Sequence, residues 1–407
     1  MSVPKLRFKA FDGDWSETLF QDLFIFKNGV NASKEQYGSG IKFINVLDII
    51  NNPNGITYDS IIGSVNITSK EIDKNLVKYG DVLFQRSSET REEVGQSNVY
   101  LGKDPVVFGG FVIRGSAQKE YDPIFMNGLL KTDSLRDQIT QLSGGSTRFN
   151  IGQDSLNKVS AYLPLKEEQT KIASFLSAVD EKISQLTQKH ELLSQYKQGM
   201  MQKLFSQQLR FKADDGSEFG EWEDKKLGEV GENIIGLTYS PTDVTNDGTG
   251  ILVLRSSNIK EGRLDKSDQV RVNKKIQDKI IVQPNDILIC TRNGSQRLIG
   301  KSVIINDDEV MTFGAFMSVY RSKYNRFIAY LMQTPWFFEQ VQMNLGARIN
   351  QITTGTLNEF TFDFPCLEEQ TKIANFLSAI DQKIEVVAQQ IEQAKQWKKG
   401  LLQQMFV

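Results

Sequence analysis

The chain contains a long segment of itself twice, and that duplication limits what it can fold into more than any other feature. Lys166-Glu-Glu-Gln-Thr-Lys-Ile-Ala-Ser-Phe-Leu-Ser-Ala-Val-Asp-Glu-Lys-Ile183 returns 201 residues later as Leu367-Glu-Glu-Gln-Thr-Lys-Ile-Ala-Asn-Phe-Leu-Ser-Ala-Ile-Asp-Gln-Lys-Ile384. Between Glu167 and Ile183 the copies differ only at Ser174/Asn375, Val179/Ile380 and Glu181/Gln382, and Pro164 and Phe205 keep their offset to Pro365 and Phe406. A gapless match of this length is a duplication.

The spacing inside each copy predicts a long helix. Ile172, Leu176, Val179, Ile183, Leu186, His190, Leu193, Lys197, Met200 and Leu204 alternate steps of four and three. Ile373, Leu377, Ile380, Ile384, Val387, Ile391, Ala394, Lys398, Leu401 and Met405 do the same. Such a heptad seam stays facing a partner helix when the two supercoil. The competing reading is an amphipathic helix lying on a globular core, which needs a wider apolar face. Phe175, Ala178, Phe376 and Ala379 widen the face near each start, so ordinary packing is expected at the proline ends and a two-helix seam beyond them. His190 is read as a packed seam residue. Lys197 and Lys398 interrupt both seams at one place, where a charge fixes register or the aliphatic stem snorkels.

The repeat extends outside the helices. Leu6-Arg7-Phe8-Lys9, followed by Trp15, reappears as Leu209-Arg210-Phe211-Lys212, followed by Trp222. Each half therefore runs from a Leu-Arg-Phe lead-in through a glycine-rich, strand-rich body to a proline and a long helix. The expected fold class is α+β, with an internal pseudo-two-fold repeat. Its segments are a body at 1–163, a central coiled-coil helix at 164–208, a second body at 209–364 and a C-terminal coiled-coil helix at 365–407. Strands are expected at Ile41–Val46, Asp81–Phe84 and Val106–Ile113, and a helix over Asp122–Gln141 with its counterpart over Arg326–Leu345. Asp81-Val-Leu matches Asp286-Ile-Leu, Phe108-Gly-Gly-Phe111 matches Phe313-Gly-Ala-Phe316, and Gly144–Asn150 matches Leu345–Asn350. Elsewhere the bodies share little. Matching helices with unlike bodies imply one shared task, spacing and docking, and two different recognition tasks.

Several chemistries are excluded or disfavoured by composition. His190 is the only histidine, which removes His-based triads and most zinc sites. Cys290 and Cys366 are too few for a disulfide framework and suit a reducing, cytoplasmic setting. No apolar run reaches the roughly 20 residues that span a bilayer, and the first residues lack the apolar core of a signal peptide, so no membrane role is expected. Gly294–Ser302 approaches a phosphate-binding loop, but five residues separate its glycines where the motif needs four, and no helix pattern follows. A hairpin loop is the better reading. No methyltransferase cofactor loop or catalytic element is found, and no nuclease carboxylate pattern stands out. The chain is read as non-catalytic, with no catalytic, cofactor-binding or metal-binding residue of its own.

Net charge is −2, whereas proteins that bind DNA alone usually carry a basic excess. Nucleic-acid contacts must then come from local groups placed after strands. The candidates are Arg86, Ser87, Ser88 and Arg91; Ser146, Thr147, Arg148 and Asn150; Arg255, Ser256 and Asn258; Arg292, Asn293 and Arg297; and Arg348 and Asn350. Arginine forks onto guanine, asparagine onto adenine, and serine or threonine reaches phosphate. For each, a solvated loop or a surface ion pair is the alternative. Arg148 and Arg348 recur in both halves, which suits positioning rather than reading two sequences.

The two Glu-Glu-Gln-Thr-Lys-Ile-Ala-x-Phe-Leu-Ser-Ala helices, the Leu-Arg-Phe lead-ins, and the Gly-Ser-Thr-Arg-Phe-Asn and Gly-Ala-Arg-Ile-Asn segments resemble the specificity subunits of type I restriction–modification enzymes along essentially the whole chain. The resemblance implies two target-recognition domains, each reading one part of a split double-stranded DNA target. It also implies two docked methyltransferase subunits and further restriction subunits, with S-adenosylmethionine, ATP and magnesium bound by those partners. An antiparallel helix pair would act as a ruler for the gap between the two parts of an asymmetric target. DNA binding by the chain alone is then expected to be weak and salt-sensitive. The alternative is a coiled-coil adaptor without sequence recognition.

Overall fold

The computed structural model describes residues 3–346 and 350–407. The fold is α+β, and contacts divide it into two units, Met1–Gln188 with Val387–Val407, and Lys189–Val386. The long helices run Lys166–Phe205 and Leu367–Met405, so each contributes one half to each unit.

The two bodies share a plan. In unit 1 an antiparallel sheet is ordered Phe24–Asn28, Val112–Ala117, Val82–Gln85, Ser97–Val99, and a second sheet is ordered Ser64–Val65, Tyr37–Ile44, Val107–Phe108. In unit 2 the corresponding sheets are Glu232–Ile235, Met317–Arg321, Ile287–Cys290, Ser302–Ile304, and Val244–Thr245, Arg271–Val272, Ile251–Leu254, Met311–Phe313. A two-stranded ribbon closes each body by joining its start to its end: Ser16–Leu19 with Ser160–Leu163, and Glu223–Lys226 with Thr361–Phe364. The central strands Val82–Gln85 and Ile287–Cys290 are buried throughout, as their apolar runs demand, with the one amide, Gln85, donating to the Ser87 carbonyl.

Both central strands begin from the same turn. Gly80 and Asn285 take left-handed φ values of 90° and 67°, and the next aspartate closes the turn, Asp81 accepting from the Lys78 N–H and Asp286 from the Gln283 N–H. Each aspartate faces an arginine on the neighbouring strand, Arg114 at 3.8 Å and Arg321 at 2.7 Å. Burial pushes the Asp81 carboxyl above its ordinary range.

Three expectations are corrected. Val106–Ile113 is not one strand: Val107–Phe108 belongs to one sheet and Val112–Ala117 to the other. The chain crosses at Gly109-Gly110, where a Cβ would lie 2.7 Å from the Phe43 ring or 1.8 Å from Asn31 Oδ1. The helix expected over Asp122–Gln141 is two helices, Pro123–Leu129 and Asp133–Gln141, and its counterpart is Asn325–Leu331 and Pro335–Met343. Thr132 and Thr334 stand at the breaks with their hydroxyls on the Leu129 and Leu331 carbonyls, and Pro335 has no N–H with which to continue a helix. The strand at Ile41–Val46 ends at Ile44, because Asn45 caps a helix over Val46–Asn51 by accepting from the Leu47 N–H.

The lead-in segments explain why Leu-Arg-Phe occurs twice. Arg7 grips Glu168 with two nitrogens, each at 2.7 Å, and Arg210 grips Glu369 at 3.1 and 2.8 Å. Both carboxylates are buried in the first turn of their helices, where the positive end of the helix dipole favours them. Hydrogen bonding to Glu168 raises Arg7 above its ordinary pKa, and Glu369 does the same for Arg210. Phe8 packs edge-on to Phe175 at 5.8 Å, and Phe211 onto Phe376 at 5.6 Å. The next glutamine closes each helix start, Gln169 donating to the Pro164 carbonyl and Gln370 to that of Pro365.

Along the seam, Ile172, Leu176, Val179, Leu186, Ile373, Leu377, Ile380, Ile384, Val387 and Ile391 are buried, while Ile183 and Leu193 are half-buried. The wider face near each start comes from Ala173 and Ala374, which are buried; Ala178 and Ala379 are exposed. In unit 1 the helix segments run antiparallel. Leu176 and Leu402 both approach Gly128, and four residues on in one helix and four back in the other, Asp180 takes Lys398 at 2.5 Å. In unit 2 Lys197 takes Asp381 at 2.7 Å, and the Tyr330 hydroxyl donates to the same carboxylate. The lysines that interrupt both seams therefore meet aspartates at exchanged positions of the repeat. His190 is half-buried.

Two outcomes follow from these contacts. Arg7→Met strands a buried carboxylate and should cost about 3–5 kcal/mol of unit 1 stability, read by denaturant unfolding, with Glu168→Gln in the same chain restoring part of the loss. The half-buried Lys131 ammonium is lowered to about 8, first by burial and then by Lys398. An unfolded lysine titrates near 10.4, so the folded state binds fewer protons between those values and stability rises with pH across that window. Lys131→Met should therefore melt higher than the parent at pH 7, with the difference fading as pH rises from 8 towards 10.4.

Candidate nucleic-acid interface

In unit 1 the candidates gather where the central strand leaves its sheet. The Arg86 N–H donates to the Phe111 carbonyl, and the Arg86 carbonyl accepts from Ile151, which brings Ser87-Ser88 alongside Phe149-Asn150 as a short antiparallel ribbon. Ser87 Oγ donates to Asn150 Oδ1 at 2.5 Å, and Asn150 Nδ2 to the Arg148 carbonyl. The Arg148 guanidinium lies over the Phe111 ring, 5.9 Å from its centroid. Arg86, Arg148, Asn150, Ser146 and Thr147 are exposed; Ser87, Asn150 and Arg148 form one bonded group whose guanidinium covers that ring, and the Arg86 guanidinium donates to the neighbouring Gly110 carbonyl. Ser88 and Arg91 are directed elsewhere. Ser88 is buried with its hydroxyl on Glu93, because alternate residues of the ribbon face inward. Arg91 turns to the Thr140 carbonyl.

In unit 2 the equivalent loops line an open cleft of about 1240 Å³. Arg255, Ser256, Arg292, Asn293 and Asn350 contribute to its wall, together with Tyr239, Asp268 and Phe316. Asn293 Nδ2 donates to Ser256 Oγ at 2.9 Å, and Asn350 Nδ2 to the Gly294 carbonyl at 3.1 Å. Arg255 pairs with Asp268 at 2.5 Å. The Ser257 hydroxyl, followed by Arg255, holds the Asp268 carboxyl below the usual range against the opposing effect of burial. Arg292 lies 4.7 Å over the Phe316 ring, and among the described residues its guanidinium makes no ion pair.

Asn258 is corrected as a contact residue. It is fully buried, its amide donates to the Asp265 and Asp268 carbonyls, and its oxygen accepts from the Arg255 N–H. Every polar atom is committed to holding the loop that carries Arg255 and Asp268. Arg297 is exposed in the short turn Gln296–Leu298, outside the cleft wall. That turn lies in the hairpin joining Ile287–Cys290 to Ser302–Ile304, and no helix follows it. Arg348 lies outside the described residues.

The sequence reading missed Phe111 and Phe316. Their signal was present in the matched Phe-Gly-Gly-Phe and Phe-Gly-Ala-Phe segments, of which the first was read as the interior of a strand over Val106–Ile113. It also took no account of Tyr239 or of Asp268, which engages Arg255. Among the described residues, no cluster of three or more His, Cys, Asp or Glu side chains could hold a metal ion, and no helix is long and apolar enough to cross a membrane.

Two α+β bodies with matched strand plans, each closed by a ribbon and followed by a long helix, define a duplicated architecture in which each body carries its own loop cluster. The chain belongs to the family described as the type I restriction modification DNA specificity domain, whose model matches residues 13–195 and again 220–396. It is 27% identical over 413 residues to the putative type I restriction enzyme MjaX specificity subunit of Methanocaldococcus jannaschii, covering 96% of this chain and 92% of that protein. It is 23% identical over 365 residues to the StySPI specificity subunit of Salmonella potsdam, covering 83% and 78%. The fold is similar to the crystal structure of the type I S subunit from M. genitalium, with TM-score 0.57 and 16% identity over 100% of this chain and 99% of that one. It also resembles a chain from a structural study of type I complex assembly and conformational transition, with TM-score 0.60 and 17% identity over 95% and 96%.

The contrast between inward and outward polar residues predicts a clear difference. Asn258→Ala should destabilise unit 2 by about 1–3 kcal/mol, since two half-buried carbonyls and an N–H lose their partner. Arg292→Ala should change stability by no more than about 0.5 kcal/mol. Thermal unfolding of the two variants beside the parent checks both.

Proposed function

We propose that this chain is the DNA-recognition subunit of a type I restriction–modification complex, with each unit reading one part of a bipartite, asymmetric target. The observation that carries this reading is the double match to a DNA specificity domain on two bodies of one plan with unlike loops. Unit 1 offers Arg86, Arg148 and Asn150, and unit 2 offers Arg292, Asn293 and Asn350, in different arrangements that each put an arginine over a matched ring. Arg and Asn are the side chains that fork onto guanine and adenine edges, so different arrangements suit different half-sites. The relatives are named as specificity subunits, and in this reading the chain does no chemistry itself. Methyltransferase subunits dock on it and bind S-adenosylmethionine; restriction subunits use ATP and magnesium. A coiled-coil adaptor without DNA recognition is disfavoured, since the matched model is a DNA specificity domain in both halves.

The long helices would set the spacing. They run 40 and 39 residues, about 60 Å each at 1.5 Å per residue. Mapping methylated sites in cells that carry this chain and its partners should return an asymmetric motif split by a fixed gap. Removing seven residues from 181–196 and seven from 382–397 keeps the seam period and shortens each helix by about 10 Å, so the gap should shrink by about three base pairs. A continuous motif would reject the bipartite reading, and an unchanged gap would reject the ruler.

A further inference from the structure

We infer that Phe111 and Phe316 are the apolar base-contacting residues of the two units, each ring meeting a base of the half-site read by its own unit. This rests on the DNA-recognition reading above and names residues that the polar candidates do not include.

Four observations carry the inference. First, the rings are exposed where large apolar side chains are ordinarily withdrawn, Phe111 at 63% and Phe316 at 56%. Second, they occupy one place in the shared plan, the last position before the strands Val112–Ala117 and Met317–Arg321, just after the chain crosses between sheets. Third, both are anchored through the main chain. The Phe111 carbonyl accepts from the Arg86 N–H, and the Phe316 carbonyl accepts from the N–H groups of Thr291 and Arg292 and from the Thr291 hydroxyl. A side chain on so fixed a backbone loses little freedom when it makes a contact.

Fourth, an arginine lies over each ring. Arg148, from the segment before the closing ribbon, covers Phe111, whereas Arg292, from the end of the central strand, covers Phe316. The neighbours decide the occupant. In unit 1 the Arg148 that covers Phe111 has its carbonyl bonded by Asn150, which in turn accepts from Ser87, and in unit 2 Asn293 and Asn350 line the same cleft as Phe316; these are groups that address base edges and phosphates. A protein partner with an apolar patch would leave both guanidiniums unmatched. A nucleic-acid base presents an apolar face, or in thymine a methyl group, beside polar edges and phosphates.

The test uses the chain assembled with its methyltransferase subunits. Phe111→Ala and Phe316→Ala are compared with the parent for binding to the mapped target and to unrelated duplex, with thermal unfolding as the control that the folds are intact. Each variant should bind the target about 10- to 100-fold more weakly, as loss of one base contact does, and should bind unrelated duplex as the parent does. Methylation mapping should relax one half of the motif for Phe111→Ala and the other half for Phe316→Ala. Phe→Trp at either position should retain most of the binding. Replacing thymine by uracil in the half-site tells a methyl contact, which weakens with that change, from a face contact, which does not. Parent-like target binding by both alanine variants overturns the inference, as does an equal loss on unrelated duplex or at both half-sites. Absence of sequence preference in the parent complex would sink the recognition reading and this inference together.

Discussion

A buried carboxylate in the first turn of each long helix, held by an arginine from the chain's own lead-in, is the contact on which the rest of the architecture rests. Glu168 and Glu369 are withdrawn from water, and a charge so placed is tolerable only when paired and hydrogen-bonded. Arg7 and Arg210 supply the pairing, and the dipole at the helix start adds to it. The geometric result is that the segment before each body is fastened to the helix after it. The ribbons Ser16–Leu19 with Ser160–Leu163 and Glu223–Lys226 with Thr361–Phe364 then follow, because both their strands leave from a fixed point. Trp222 donates to Glu369 and packs on Phe327 at 6.3 Å, so in unit 2 the clamp also seats an aromatic, while Trp15 packs on Phe125 and Phe406 in unit 1.

On that shared frame the loops are free to differ. A packed core constrains both the volume and the direction of its side chains, and here it preserves the strand-starting turns at Gly80-Asp81 and Asn285-Asp286 and the sheet crossings before Phe111 and Phe316. The loops answer only to their own hydrogen bonds, which is why surface loops carry function. Unit 1 joins Ser87 to Asn150 directly, whereas unit 2 places Asn293 on Ser256 and ties Asn350 to the Gly294 carbonyl. One frame thereby presents two different arrangements of donors. The same economy appears in the seam, where Lys197 and Lys398 answer Asp381 and Asp180, and positions that interrupt an apolar stripe become specific contacts.

Much of the frame was legible in the chain itself. A period of 3.5 is a local property, so the helix positions, and the irregularity at Lys197 and Lys398, could be read without coordinates. Shorter elements were read less well, for identifiable reasons. Val106–Ile113 is apolar throughout, and apolarity does not tell one strand from two strands in different sheets; the close approach of Phe43 and Asn31 to Gly109-Gly110 makes that decision. Asp122–Gln141 has unbroken helical spacing, and the break at Thr132 is stabilised by a hydroxyl that finds the Leu129 carbonyl only once the helix has turned.

The recognition surface divides along the same line. The sequence alone determined that the chain is a duplicated α+β protein, that its two long helices carry apolar seams, and that arginine and asparagine cluster after its strands, because composition and period are written residue by residue. Only the tertiary structure decided that Asn258 and Ser88 face inward, that Arg91 turns to a helix end, and that Phe111 and Phe316 stand in solvent beneath arginines from unrelated loops. Those directions are set by contacts between residues far apart in the chain, such as Arg86 with Phe111 and Asn293 with Ser256. No local pattern encodes such a contact until the fold has brought its two ends together.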